Sequence, residues 1–192
     1  MVRIETDDID LTFIHLAKNA GTSIEIWLQK HIPEAEVYGS ESDMRHERPS
    51  VVNPLFDSLG WTFCVVRNPW DRLVSVWSFW VRSKSINYSF DEWFKLCQDN
   101  RTITRKYTRF PNPQLTHYLE CDTVLRFENL VEDFKMVQDK VKCWEPLGKL
   151  NHSHHKHYTE YFSKEQREYT ANYFYQDISI FNCQNNYPII IC

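Results

Sequence analysis

Three short segments of the chain are apolar almost without interruption: Leu11 to Leu16, Trp61 to Val66 and Thr123 to Phe127. Runs of this length, bounded by polar turns, predict strands covered on both faces, as in a parallel sheet. Elsewhere the apolar positions recur at helical spacing. From about Thr22 to His31 the repeat is Ile24, Trp27 and Leu28, continued by Ile32, and Pro33 ends it. From Trp70 to Ser83 it is Trp70, Leu73, Val74, Trp77, Trp80 and Val81. Ser89 with Glu92, and Ser163 with Gln166, have the spacing of a capping box and open helices to about Cys97 and Tyr175. A short helix is predicted over Gln114 to Leu119. Asn129 with Glu132 predicts a cap for a helix that turns Leu130, Phe134, Val137 and Val141 inward. Strands alternating with helices predict one α/β domain over residues 1–192, with a mainly parallel sheet. Ligands of such sheets bind beyond the carboxyl ends of the strands. That expectation puts Lys18 and Arg67 on one rim.

Two polar features interrupt the pattern. Asp71, Ser75, Ser78 and Arg82 form one stripe on an otherwise apolar helix, and a buried stripe needs partners, either other side chains or a polar ligand. Residues 34–60 are polar and irregular around Met44-Arg45-His46-Glu47-Arg48-Pro49. Such a stretch is either a solvated surface or part of a site. Residues 98–113, with Arg101, Arg105, Lys106 and Arg109, are a basic loop of the same ambiguous kind.

Composition narrows the classes. The net charge of −4 over 192 residues argues against nucleic-acid binding by bulk charge, while leaving room for a local basic site. No apolar run reaches the length of a membrane span, and Met1 to Asp10 lacks the regions of a signal peptide. The six scattered cysteines form no CxxC pair, so free thiols in a reducing compartment are expected, with no metal site. Sequons at Asn87, Asn100 and Asn151 do not by themselves indicate secretion.

The chemistry concentrates in Phe13-Ile14-His15-Leu16-Ala17-Lys18-Asn19-Ala20-Gly21-Thr22-Ser23-Ile24. It reads as a strand, a loop with Lys18 and Gly21, and a helix opened by Thr22 and Ser23. A helix start offers unpaired N–H groups and a positive dipole end, so a lysine and two hydroxyls there suit an anion such as phosphate. The order is not that of GxxxxGKS/T, because the lysine precedes the glycine. The plainer reading is a strand–helix turn with a hydroxyl cap.

This loop resembles the 5′-phosphosulfate loop of sulfotransferases that use 3′-phosphoadenosine 5′-phosphosulfate (PAPS). Phe63 to Ser75, with Arg67-Asn68-Pro69 at its centre, is similar to their 3′-phosphate strand–helix. Leu125-Arg126-Phe127-Glu128-Asn129-Leu130 resembles a segment of their carbohydrate (heparan/chondroitin-type, sulfotransferase family 2-like) branch, as does the tail from Tyr158 to Phe181. The resemblance implies a P-loop-like three-layer fold, a sheet flanked by helices, and sulfuryl transfer from PAPS to a hydroxyl, most simply of a glycan, without a metal. Carried over by position, Lys18, Asn19, Ala20, Gly21, Thr22 and Ser23 hold the 5′-phosphosulfate, and Arg67 and Ser75 hold the 3′-phosphate. Lys18 stabilises the leaving group. His46 is the candidate general base, with Glu47 and His15 as rivals; His15, inside a strand, reads more simply as a hydrogen-bonded core residue. Gln114 is a candidate for acceptor contact, and His155 or Lys156 for the nucleotide phosphates. The family's eukaryotic members usually carry a Golgi anchor, so this chain is expected to be a bacterial or viral cytoplasmic enzyme, or an excised luminal domain. Two other readings stand beside it. One is a P-loop-type nucleotide kinase, which magnesium dependence would reveal. The other is a silent nucleotide- or glycan-binding module. Trp77 and Trp80 suit a sugar face but at helical spacing suit a core equally. His152, His154, His155 and His157 lack the accompanying ligands of a metal site.

Overall fold

The computed structural model describes residues 1–39, 46–99, 107, 109–148 and 155–184, with side chains described to residue 180. The strands are β1 (Val2–Glu5), β2 (Asp10–Ile14), β3 (Glu36–Val37), β4 (Trp61–Val66) and β5 (Thr123–Arg126). The helices are α1 (Gly21–His31), α2 (Pro49–Val52), α3 (Pro69–Arg82), α4 (Phe90–Gln98), α5 (Leu115–Tyr118), α6 (Leu130–Asp133), α7 (Lys135–Val141), α8 (Lys164–Tyr173) and α9 (Tyr175–Gln184). The chain divides into two compact units. One joins Met1–Arg67 to Gln114–His152, and the other joins Asn68–Pro113 to Ser153–Cys192.

The first unit holds the sheet, in the order β3-β1-β2-β4-β5. β2, β4 and β5 are parallel, with Phe13 opposite Phe63 and Val65 opposite Leu125. This is the parallel centre that the three apolar runs predict. β1 and β3 add antiparallel pairs that the sequence pattern does not announce. Val2 and Ile4 are fully buried on either side of Arg3, which is also buried, and Thr6 N–H donates to the Ile9 carbonyl at 2.8 Å to close the β1–β2 turn. One face of the sheet packs Phe13, Phe63, Val65 and Leu125 with Ile24, Trp27 and Leu28 of α1 and with Val137 and Val141 of α7. Ile14, Cys64 and Val66 point to the other face and are also buried. Because strand side chains alternate, burial on both faces requires the near-continuous apolar runs seen in β2 and β4.

The second unit has its own core of Trp70, Leu73, Val74, Phe90, Trp93, Phe94, Phe162 and Phe174. Its helices are capped as their sequences demand. The Asn68 side chain accepts from the N–H groups of Trp70 and Asp71, and Pro69 fills the first helical position of α3. Ser89–Glu92 and Ser163–Gln166 form complete capping boxes on α4 and α8. The cap expected at Asn129 is absent. Phe127–Asn129 is a 3-10 turn, and the Asn129 amide donates to Asp133 instead. The helix foreseen there is broken into α6 and α7. Among the described residues no helix is long and apolar enough to cross a membrane.

Candidate functional site

The loop between β2 and α1 turns through two left-handed residues, Lys18 at φ 69° and Ala20 at φ 63°. Left-handed backbone costs a non-glycine residue about 1–2 kcal/mol, so two such residues in three mark a constrained turn. The helix starts two residues earlier than a Thr22 cap requires. Ala20 is the N-cap, no side chain caps α1, and the Ala20 carbonyl accepts from the N–H groups of Ser23 at 2.9 Å and Ile24 at 3.2 Å. The left-handed Ala20 supplies the turn that a Thr22 or Ser23 cap was expected to supply. Thr22 and Ser23 are therefore the second and third residues of the helix, half-buried and buried. Gly21 lies directly against the His15 ring, where a methyl group would come within 2.0 Å of ring atoms. That ring is locked by a 2.7 Å hydrogen bond between its Nδ1 and the buried Glu25 carboxylate. His15 is thus the hydrogen-bonded interior residue that its place beside a strand suggests.

Arg67 follows β4 and is only 7 % exposed. Its guanidinium donates to the Lys18 carbonyl at 3.1 Å and lies 3.9 Å over the Phe127 ring. The rim expected from the sequence is therefore formed: Lys18 and Arg67 meet. Between them sits Asn19, whose amide nitrogen donates to the Val65 carbonyl and to Gln114 Oε1, both at 2.7 Å. Gln114 Oε1 also accepts from Arg67 N–H at 2.9 Å, and Gln114 Nε2 donates to the Arg67 carbonyl at 2.8 Å. Gln114 is fully buried, which removes it as an acceptor-contact residue. Its polar atoms are committed to backbone and loop.

His46 occupies a 3-10 turn and is exposed. Its Nδ1 lies 2.9 Å from the His15 carbonyl, an oxygen that can only accept, so Nδ1 carries the proton. In the neutral ring the lone pair then belongs to Nε2, the state a general base requires. The His46 and His15 rings meet edge to face at 4.7 Å, which places His46 beside the base of the Lys18 loop. His117 Nε2 donates to the His46 carbonyl at 2.9 Å. Sequence reasoning assigned nothing to His117 or Glu25; both act through partners distant in the chain. Glu47 is half-buried next to His46.

Lys18, Asn19, Ala20, Gly21, Thr22, Ser23, His46 and Arg67 all belong to the first unit. Ser75 belongs to the second, buried on α3 at 2 % exposure. The polar stripe of that helix divides: Ser75 is interior, while Ser78 and Arg82 line a surface cavity of about 280 Å³ with Trp77, His155 and Tyr161. Trp77 also packs against Phe90 at 5.7 Å and donates from its indole to the Tyr88 carbonyl. Trp80 packs against Phe79 and Tyr107. His155 Nδ1 donates to the Lys156 carbonyl. Met44, Arg45, Arg101, Arg105, Lys106, His152 and His154 lie outside the described residues.

The assembled features are a strained turn at a helix start, a lysine on it, a buried arginine bonded to it, and a histidine with a defined tautomer beside it. They suit an anionic ligand and a proton transfer. No protein-family model matches the chain. A protein of Archaeoglobus fulgidus, described as uncharacterized, is 31 % identical over 101 residues, which span 52 % of this chain and 82 % of the archaeal one. The chain belongs to the family of that archaeal protein. Among solved structures, a sulfotransferase from Alicyclobacillus acidocaldarius superposes with a TM-score of 0.50 at 15 % identity, covering 97 % of this chain and 98 % of the other. At that identity the likeness establishes the fold: a mixed α/β, sulfotransferase-like arrangement with a five-stranded sheet whose centre is parallel.

Proposed function

We propose that the chain is a PAPS-dependent sulfotransferase acting on a hydroxyl acceptor, and that the acceptor is a carbohydrate. The observation that carries the reading is the contact of Arg67 with the Lys18 carbonyl. It sets the Arg67 guanidinium against the backbone of the lysine-bearing loop that leads into an 11-residue helix whose dipole favours anions. The sulfotransferase-like fold supports the same reading. The residues suit the donor nucleotide. Lys18 is half-buried on a left-handed turn, and the missing side chain of Gly21 lets the loop backbone pack against the His15 ring.

Bound PAPS would supply the sulfuryl group that an acceptor oxygen takes up in line as adenosine 3′,5′-bisphosphate departs. Lys18 holds its charge where negative charge gathers on the leaving oxygen, a role typically worth about 3–4 kcal/mol for one preorganised donor. Asn19, Ala20, Gly21, Thr22 and Ser23 form the anion loop around it. Arg67 offers a planar fork of donors for a phosphate while bracing the loop. His46 receives the acceptor proton at Nε2.

The test is calorimetric titration with adenosine 3′,5′-bisphosphate, with ATP–magnesium as the comparison. Metal-independent bisphosphate binding is expected, weakened about tenfold or more by Arg67→Ala, the loss of one or two charge-assisted hydrogen bonds. Clear ATP–magnesium binding without bisphosphate binding would overturn the reading in favour of a nucleotide kinase.

A further inference from the structure

The turn from Gln114 to Glu120 touches three separate pieces of the candidate site, yet supplies none of its reacting groups. At its start the Gln114 side chain pairs with both the N–H and the carbonyl of Arg67, as a neighbouring strand would. The same Oε1 accepts from Asn19 in the anion loop. The orientation of these amides is dictated rather than chosen. Asn19 Nδ2 spends both hydrogens on the Val65 carbonyl and Gln114 Oε1, and flipping it would set oxygen against oxygen twice. Asn19 Oδ1 is left buried with no partner among the described residues, a cost that the lock on the loop must offset. One helical turn later His117 donates to the His46 carbonyl. At the end, Glu120 accepts from Ser50 N–H at 2.7 Å and Ser50 Oγ at 3.1 Å, and Arg48 lies 3.7 Å from it.

We infer that the 114–120 turn is the positioning element of the site, with separate duties at its two ends. Gln114 fixes the anion loop against Arg67 and so governs donor affinity. His117, with Glu120 behind it, fixes the segment that carries His46 and so governs proton transfer. The kinetic half of this inference rests on the sulfotransferase reading. The structural half does not.

The experiment compares Gln114→Met with His117→Ala, and uses His117→Gln as the conservative rescue. Peptide-resolved amide hydrogen exchange needs no ligand. Gln114→Met is expected to speed exchange over 17–24 about tenfold or more while sparing 46–52, and His117→Ala to speed 46–52 while sparing 17–24, because each loses the hydrogen bonds that hold its own segment. Gln114→Met raises Kd for adenosine 3′,5′-bisphosphate by about tenfold or more. His117→Ala keeps that Kd, lowers kcat and moves the acidic limb of the kcat–pH profile, and His117→Gln restores both. Equal acceleration of both segments in both variants, or no acceleration in either, would overturn the inference. Should wild-type protein bind no bisphosphate while the exchange split appears, the positioning role stands and the sulfotransferase reading falls.

Discussion

Gly21 and Ala20 sit side by side with opposite demands. A methyl group at Gly21 would meet the His15 ring at 2.0 Å, and the 2.7 Å bond to Glu25 prevents that ring from swinging away. Gly21→Ala is therefore expected to cost about 1–3 kcal/mol, the range for overpacking an interior, and to displace the Lys18 loop with it. Ala20 already has a side chain but holds φ 63°, where glycine carries no steric penalty. Ala20→Gly is expected to raise stability by up to about 1 kcal/mol, the relief of a left-handed alanine less the entropy that glycine adds to the unfolded chain. Urea midpoints of the two variants, measured beside the wild type, check both signs at once. A destabilising Ala20→Gly would mean the strain is not stored where the backbone angles place it.

The sheet is where sequence pattern and fold agree best, and where the limits of pattern show. β2, β4 and β5 are legible because burial on both faces demands apolar residues at successive positions. β1 is not: its buried apolar residues, Val2 and Ile4, flank an arginine that is itself buried, and their burial is decided by pairing with β2. At the site, Lys18, Gly21 and Arg67 were legible because their spacing to strand ends is local. Gln114 was misread and His117 missed because their partners lie far off, the Gln114–Asn19 bond joining residues 95 apart. A similar long-range bond anchors the start of β4. Asp122 accepts from Thr62 N–H and Thr62 Oγ1, each at 2.8 Å, and these bonds hold its carboxyl below the usual carboxylate range, the backbone bond foremost. A depressed folded value means the stabilisation is present above the ordinary carboxylate pKa and is lost as pH falls through the folded one. Thr62→Val removes both the bond that Oγ1 donates to the carboxylate and the one it accepts from Asp122 N–H at 2.9 Å; it is expected to cost about 1–3 kcal/mol at pH 7, with a smaller but remaining deficit once pH has fallen through the lowered Asp122 value. Denaturant titrations at neutral and strongly acidic pH test this; a deficit independent of pH would assign the loss to the Asp122 N–H bond and packing rather than to the charged bond.

Each of the two units encloses its own core, and each buries a thiol. Cys64, in β4, is held well above the ordinary thiol value by its hydrogen bond with Cys121 and then by burial. Burial alone pushes Cys97, at the end of α4, up to about 12. The four cysteines with described side chains, Cys64, Cys97, Cys121 and Cys143, are free thiols. Raised folded values have a definite consequence for the whole molecule. Below the ordinary thiol pKa, near 9, both states keep the proton and stability is unaffected. Above it the unfolded chain ionises while the folded chain does not, so the folded state binds more protons and stability must fall as pH rises, for Cys97 until about pH 12. Each thiol contributes at most about 1.4 kcal/mol per pH unit to that fall. Tyr38, held up by its hydrogen bond to Glu36, and Tyr173, held up by burial, join only above about pH 10. The interval from pH 9 to 10 is therefore diagnostic for the thiols. Wild-type protein is expected to lose stability across it in urea titrations. Cys64→Ala with Cys97→Ala starts lower, because each substitution leaves a small void, but declines less steeply over the same interval. A double variant that declines as steeply as the wild type would show that other groups set the alkaline limit. A flatter decline in either single variant would assign that part of the limit to the unit whose thiol was removed.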